Sequence, residues 1–214
     1  MRIHDVEQRS EAWHALRAGL LTGSSAQAII AVRKRGSGEL AVRSDLRHRL
    51  VCERLTGLPQ DRTSKPTASM ERGIQIEPDA VAAYEIETGQ LVHHVGFVSH
   101  DDLPAGCSPD GYVGEWEGVV EAKCPDSTTH LEYLKAGVVP EEYCGQLLHA
   151  LWITGAQWAD FVSFDPRFQD PGLRLFVKRM PRDEKAIAGY ELAARLFLSE
   201  VDKEVDALRG VAAA

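Results

Sequence analysis

The sequence has no apolar run approaching the roughly 18 residues that a helical membrane span needs, which excludes an integral helical membrane protein. Its opening residues, MRIHDVEQRSEAW, hold no apolar stretch followed by a cleavage site, so no secretory leader is expected. Cysteines are few, and Cys52, Cys107, Cys124 and Cys144 form no C-x-x-C pair. Zinc-site spacing is therefore missing, and a chain of 214 residues can bury a core without a disulfide framework. A cytoplasmic protein with reduced thiols is the expectation. Repeats and low-complexity segments are absent, which removes solenoids and disordered tails from consideration. A basic excess is missing too: 24 Lys and Arg against 32 Asp and Glu leave a net charge of −8. Phosphate binders are usually basic, so the balance alone counts against nucleic acid. Net charge does not say where the charges sit, however.

What remains is ordinary globular composition, 44% hydrophobic and 26% charged, which suits one domain. The first third reads as helical. Residues 7–20 carry Trp13, Leu16 and Leu20 at spacings of three and four, and Thr22-Gly23-Ser24-Ser25 supplies caps for a short helix over 26–31. Arg33-Lys34-Arg35-Gly36-Ser37-Gly38 reads as a basic loop. Ser44 is the expected cap of a helix carrying Leu46, Leu50 and Leu55 and ending at Gly57. After a turn-rich connector, a longer helix is expected over about 69–88. The middle changes period. Segments 91–99, 107–113 and 119–124 are short, β-branched and punctuated by Gly and Pro, which predicts three strands. Thr129-His130-Leu131-Glu132 has the form of a capping box, Pro140 opens a further helix, and strands follow over 158–164 and 173–178. A final helix over 183–208 carries an apolar stripe from Ile187 to Leu208, expected to pack on the sheet. The fold class is α/β: a central mixed β-sheet flanked by helices, in one domain over 1–214, with a helical region at 1–68 and the long helix at 183–209 attached to the core.

The chemically informative segment is Ser108-Pro109-Asp110-Gly111, followed ten residues later by Glu121-Ala122-Lys123. Glu121 and Lys123 are two apart in a strand, so they share one face of the sheet with Val119, while Val120 and Ala122 point the other way. Asp110 lies across a hairpin whose tip falls near Glu115-Trp116-Glu117. A pairing register summing to 231 or 233 puts Asp110 on the face of Glu121 and Lys123; a one-residue slip sends it to the opposite face. Two carboxylates converging with a lysine are compensated well by a divalent cation, and hard oxygen ligands suit Mg²⁺ or Mn²⁺ better than zinc. Lys123 could then orient a water or, as the neutral amine, deprotonate it, or as the ammonium offset charge on a phosphate, as in metal-assisted phosphodiester hydrolysis. Taken alone, the same residues also fit a surface hairpin with a Glu–Lys pair. Glu77, in Arg72-Gly73-Ile74-Gln75-Ile76-Glu77, is either a third carboxylate or a solvated helix-face residue. Tyr143 and Gln146, in Tyr143-Cys144-Gly145-Gln146, are neighbours on one helix face.

Taken in order, E-A-W-H-A-L-R-A-G-L-L-T-G-S (11–24), R-G-I-Q-I-E (72–77), S-P-D-G (108–111), E-A-K-C-P (121–125), Y-C-G-Q (143–146) and F-D-P-R (164–167) closely resemble the lambda-exonuclease-type (YqaJ-like) phage recombination nucleases. These form a branch of the PD-(D/E)XK superfamily, and the resemblance runs from about residue 8 to about 200. It implies a restriction-endonuclease-like core and a Mg²⁺-dependent 5′→3′ exonuclease, with Mn²⁺ as a substitute. Such an enzyme degrades one strand of linear duplex DNA to mononucleotides and leaves 3′ tails for homologous recombination. The resemblance implies Asp110, Glu121 and the Ala122 backbone carbonyl as metal ligands, Glu77 lining the site through water, and Lys123 beside the attacking water. Tyr143 and Gln146 would border the site, with Gln146 touching the water or Lys123. Arg17, Ser24 and Ser108 would form a 5′-phosphate pocket; two hydroxyls and a guanidinium at a helix start suit that role. Arg33, Lys34 and Arg35 are either DNA contacts near a channel mouth or a solvated loop, and Met70 is either an apolar wedge against the terminal base pair or a buried core residue. Also implied are a ring-shaped homotrimer, an annealing protein as partner, and the cytoplasm of a bacterium or phage-infected host. Glu115 and Glu117 add negative charge near the hairpin tip without an assigned role. The competing readings are another PD-(D/E)XK DNA end processor and a catalytically silent DNA-end-binding module.

Overall fold

The computed structural model describes residues 1–31, 38–60 and 67–212, and of Met70 and Ala212 the backbone alone. The expected single sheet is two. The first has strands β1 (Arg2–His4), β2 (Leu21–Thr22), β4 (Phe97–Ser99) and β5 (Ala105–Cys107), in the order β1-β4-β5-β2. The second has β3 (Val92–His93), β6 (Gly111–Val113), β7 (Gly118–Lys123), β8 (Trp158–Phe164) and β9 (Leu175–Pro181), in the order β3-β6-β7-β8-β9. Both are mixed: β2 runs parallel to β5 and β7 parallel to β8, and the other pairings are antiparallel.

The reason for two sheets lies in two chain crossings. Segment 91–99, expected as one strand, breaks after His93 and re-forms at Phe97 in the other sheet. Gly96 sits at the break, where a Cβ would lie 2.0 Å from the Val6 carbonyl oxygen, so the chain can pass there only with glycine. Segment 107–113 divides in the same way. Cys107 closes β5, Gly111 opens β6, and Ser108-Pro109-Asp110 spans the gap. Proline has no N–H to offer a ladder, so the crossing falls where pairing is already lost.

Helices cover both faces of the five-stranded sheet. On one side, α4 (Ala68–Thr88) packs Ala80, Val81 and Tyr84 against Val120, Ala122 and Val162. On the other, α6 (Glu141–Thr154) brings Leu147 and Leu151 over Val119, Ala159 and Phe161. The alternation along β7 therefore follows the strand period, with Val119 on the α6 side and Val120 and Ala122 on the α4 side.

The last helix, α7 (Glu184–Ala212), buries Ile187, Tyr190, Ala194, Phe197, Val201 and Val205 at spacings of three and four. Its stripe packs chiefly on α3 (Ala41–Thr56), α6 and α2 (Ala26–Ile30), and not on a sheet as expected. Helix α6 already covers that sheet face, so α7 forms a further layer over it. Two caps also differ from expectation. Helix α3 begins at Ala41, placing Ser44 inside its first turns. Helix α5 (Ser127–Ala136) is capped by Asp126, whose carboxylate accepts from the Thr129 amide at 3.0 Å, so the expected Thr129 box is superseded. Helix α3 ends as expected at Gly57, in the left-handed conformation with φ 69°. All four cysteines are free thiols. Among the described residues no helix is long and apolar enough to cross a membrane.

Candidate active site

The register of the β6–β7 hairpin decides whether a site exists. Gly111 pairs with Val120 and Tyr112 with Val119, both summing to 231, so Asp110 falls on the face of Glu121 and Lys123. At the hairpin tip Trp116 adopts φ 68°, and its ring stacks flat on Tyr112 at 4.1 Å. Glu115 and Glu117 are exposed beside it.

Asp110 ends the crossing segment, just before the start of β6. Its Oδ2 accepts a 2.7 Å hydrogen bond from the Ala122 amide, which ties it to the β7 segment carrying Glu121. Glu121 is buried, and its Oε1 accepts from both Lys123 Nζ and Gln146 Nε2. Gln146 thus reaches Glu121 itself, where the expected contact was Lys123 or a water. Burial raises the Glu121 carboxyl to about 7; Lys123 opposes that rise, and Asp110 and Glu77 add to it. For Lys123, burial works against the ammonium, but Glu121 and Asp110 outweigh it and hold the group above the usual lysine range. Its ammonium also lies 5.4 Å from the centre of the Tyr143 ring, which itself stacks on Phe161.

Gly145 lets α2 approach the helix carrying Tyr143 and Gln146: a Cβ there would lie 2.8 Å from the Gln27 Cα. The Gln27 amide oxygen accepts from the Gly145 N–H at 2.9 Å. The apposition fixes α6 close to the start of α2, where Ser24 lies.

Glu77 arrives on α4. Arg72, one turn earlier, donates to the Pro125 carbonyl at 2.7 Å and anchors the helix to the turn just beyond β7. Pro78 follows Glu77 directly and removes one helical N–H. Burial raises the Glu77 carboxyl, as does the nearby charge of Asp110, while Arg9 lowers it. Its Oε2 accepts from Arg9 Nη2 at 2.6 Å. Arg9 has φ 70° and shares positive φ only with Trp116 among the described non-glycine residues. That conformation costs about 1–3 kcal/mol, whereas a partly exposed ion pair returns only about 0–1 kcal/mol.

Ser108, at the other end of the crossing, faces α1 (Glu11–Arg17). Ser10 caps this helix by accepting from the Trp13 amide at 3.2 Å. The Trp13 indole N–H donates to Ser108 Oγ at 2.8 Å, and the Arg17 guanidinium lies 3.7 Å from the centre of the same indole. Expected as an apolar stripe position, Trp13 instead holds together two residues of the anticipated phosphate pocket. Its spacing on the helix could not show this. Gln8 was also missed: its amide donates to the carbonyls of Val95 (2.9 Å) and Pro109 (3.0 Å), pinning the Ser108–Asp110 crossing.

A cavity of about 830 Å³ joins these parts. Arg17, Ser24 and Ser108 line it together with Asp110, Glu121 and Gln146, and Arg9 stands on its wall. Lys123 and Glu77 adjoin it through their bonds to Glu121 and Arg9. Arg33, Lys34, Arg35 and the Met70 side chain lie outside the described residues.

The donor set fits a hard divalent cation. Asp110, Glu121 and Glu77 offer carboxylate oxygens, and the Asp110 charge raises the proton affinity of both Glu121 and Glu77, a repulsion that a cation relieves. Among the described residues, however, no three acidic, histidine or cysteine side chains converge as a ready-made metal cluster. Glu77 is drawn to Arg9, while Glu121 Oε1 is held by Lys123 and Gln146.

Known proteins share this arrangement of elements. A model of the YqaJ-like viral recombinase domain matches residues 12–157. The chain is similar to LHK-Exo, an alkaline exonuclease from Laribacter hongkongensis, at 38% identity and a TM-score of 0.85, over 95% of this chain and 98% of that one. A second structure of LHK-Exo, in complex with dAMP, aligns equally well. A phage-related exonuclease from Haemophilus somnus 129PT has the same fold at 16% identity, with a TM-score of 0.65 over 88% of this chain and 96% of its own. No curated protein matches the sequence.

Proposed function

Since the chain belongs to the family of YqaJ-like viral recombinase domains and is a nuclease, we propose that it is a Mg²⁺-dependent exonuclease acting on linear duplex DNA. It degrades one strand in the 5′→3′ direction to mononucleotides and leaves 3′ tails for recombination. The observation that carries this reading is one continuous cavity lined by Asp110 and Glu121 and also by Arg17, Ser24 and Ser108.

The division of labour follows from chemistry. Arg17, with Ser24 and Ser108, receives the 5′-phosphate: a guanidinium and two hydroxyls supply directional donors to an anion. The terminal phosphodiester then lies toward Asp110 and Glu121. Asp110, Glu121 and the Ala122 carbonyl would hold Mg²⁺ or Mn²⁺, with Glu77 joining through water. When bound, such a cation supplies a more acidic water and offsets charge on the phosphodiester. Lys123 presents its ammonium beside Glu121, where negative charge builds on the reacting phosphate. Gln146 holds the Glu121 carboxylate in orientation, and Tyr143 borders the lysine. Each cut regenerates a 5′-phosphate end, so the pocket that receives it also counts the substrate forward. The dAMP bound by the Laribacter relative is a nucleoside monophosphate, the product class this reaction releases. Family resemblance alone supports a homotrimeric ring and a single-strand annealing partner.

The test uses purified protein with linear duplex and covalently closed circular DNA, with and without Mg²⁺. Mononucleotides from the linear substrate alone, and only with the cation, are the expected result. Lys123→Ala is expected to lower turnover by about 10²–10³-fold while retaining DNA binding. Cutting of the circle, or turnover without a divalent cation, contradicts the reading.

A further inference from the structure

Arg9 is held in a conformation that its own ion pair does not explain. Its neighbours fix the backbone on both sides: Gln8 is pinned to the Val95 and Pro109 carbonyls, and Ser10 caps α1. Between them Arg9 takes φ 70°, a region that suits glycine and that a side chain occupies at a cost. The return is one contact, Nη2 to Glu77 Oε2 at 2.6 Å, with the Arg9 side chain 44% exposed. Solvent screening makes such a pair a weak source of stability. Strained backbone that folding does not reward is most often retained at functional sites.

The consequence of the contact is electrostatic. Glu77, Asp110 and Glu121 are three carboxylates compensated by two cations, Lys123 and Arg9. Arg9 lines one cavity with Asp110 and Glu121, so the carboxylate it holds adjoins that pair. The Arg9 guanidinium nevertheless takes Glu77 for itself, and no cluster of three carboxylates stands assembled among the described residues. A divalent cation and Arg9 therefore compete for one carboxylate.

We propose that Arg9 is a positioning residue for Glu77, restraining this carboxylate from the divalent-cation site and setting the cation affinity of the resting protein. The proposal rests on the reading that Asp110 and Glu121 take a divalent cation. Arg9 is within reach of the same cavity that receives the DNA end, so cation loading is weak until another anion engages the guanidinium.

The test measures Mn²⁺ binding to the full chain by titration calorimetry without DNA, alongside thermal unfolding. Arg9→Gly suits the left-handed backbone, so it is expected to unfold at a temperature no lower than the parent protein. It is expected to bind Mn²⁺ at least about 5-fold more tightly, the lower end of a typical coupling between sites. Arg9→Lys, which keeps the charge, is expected to restore parental affinity. Unchanged or weaker Mn²⁺ binding by a stably folded Arg9→Gly protein overturns the proposal. A different result marks failure of the underlying reading: no Mn²⁺ binding by either protein, or binding that Asp110→Asn leaves intact.

Discussion

The indole N–H of Trp13 donates to Ser108 Oγ over 2.8 Å. The bond joins the first helix to the crossing between the two sheets, and the Arg17 guanidinium lies on the other side of that relationship, over the indole face. A phosphate receptor assembled from α1 and from the crossing needs a brace between them. Trp13→Phe retains the ring but removes the donor, and one hydrogen bond is worth about 0.5–1.5 kcal/mol. The expected outcome is a few-fold fall in the preference for 5′-phosphate over 5′-hydroxyl ends. Trp13→Ala also removes the stacking surface, worth about 0.5–2 kcal/mol, and should lower the preference by roughly ten-fold or more. Paired rate measurements on the two end types check both.

Buried His149 makes stability sensitive to mild acid. Its ring bonds the Tyr190 hydroxyl and the Gly106 carbonyl, and burial pushes it down to about 4. The unfolded chain takes up a proton below about pH 6.5, while the folded ring stays neutral until about 4. The contribution is therefore complete above pH 6.5 and is lost as pH falls from 6.5 toward 4. The size is on the order of 3 kcal/mol. Urea unfolding at pH 7 and pH 4.5 measures it, and His149→Gln should flatten the difference between the two.

Asp160 is a buried charge with a defined set of partners. Both its oxygens are bonded by Arg179, at 2.9 and 2.7 Å, and Oδ2 also accepts from the Tyr84 hydroxyl of α4 at 2.8 Å. Arg179 stacks on Trp158 at 3.5 Å. Removing one partner of a buried pair costs about 3–5 kcal/mol; with the arginine half exposed, Arg179→Met should cost about 2–3 kcal/mol. Tyr84→Phe should cost about 1 kcal/mol. Denaturant midpoints check both, and end preference should be unaffected, because this cluster joins α4 to the sheet away from the cavity.

These residues show which parts of the molecule were legible in the sequence. Period-two spacing placed Glu121 and Lys123 on one face, and a hairpin of the right register added Asp110; local geometry governs all three. The β8 strand and the glycine stop of α3 were equally legible, since each depends on its own residues. Sheet membership was not. Residues 91–99 and 107–113 read as continuous strands because a Gly or Pro marks a break in pairing and not a move into another sheet; at Gly96 that move depends on the close approach to Val6. The partner of α7 was missed for the same reason: an apolar stripe states that a face is buried, not what covers it. Arg9 gave no signal at all, because arginine in a polar segment is ordinary and its positive φ is visible only in the folded chain. F-D-P-R carried resemblance without a role. Within it, Asp165 is fully buried and grips Arg167 through both oxygens, and Arg167 reaches on to the Pro125 carbonyl. The motif therefore braces the turn after β7.

Direction of degradation tests the central claim most directly. A linear duplex is labelled on one strand, either at the 5′-terminal nucleotide or at the 3′-terminal nucleotide, and mononucleotide release is followed with Mg²⁺ under single-turnover conditions. The account predicts that the 5′ label appears at once and the 3′ label of that strand only after a delay that grows with its length. Immediate release of the 3′ label, or release of both labels together as short oligonucleotides, contradicts it.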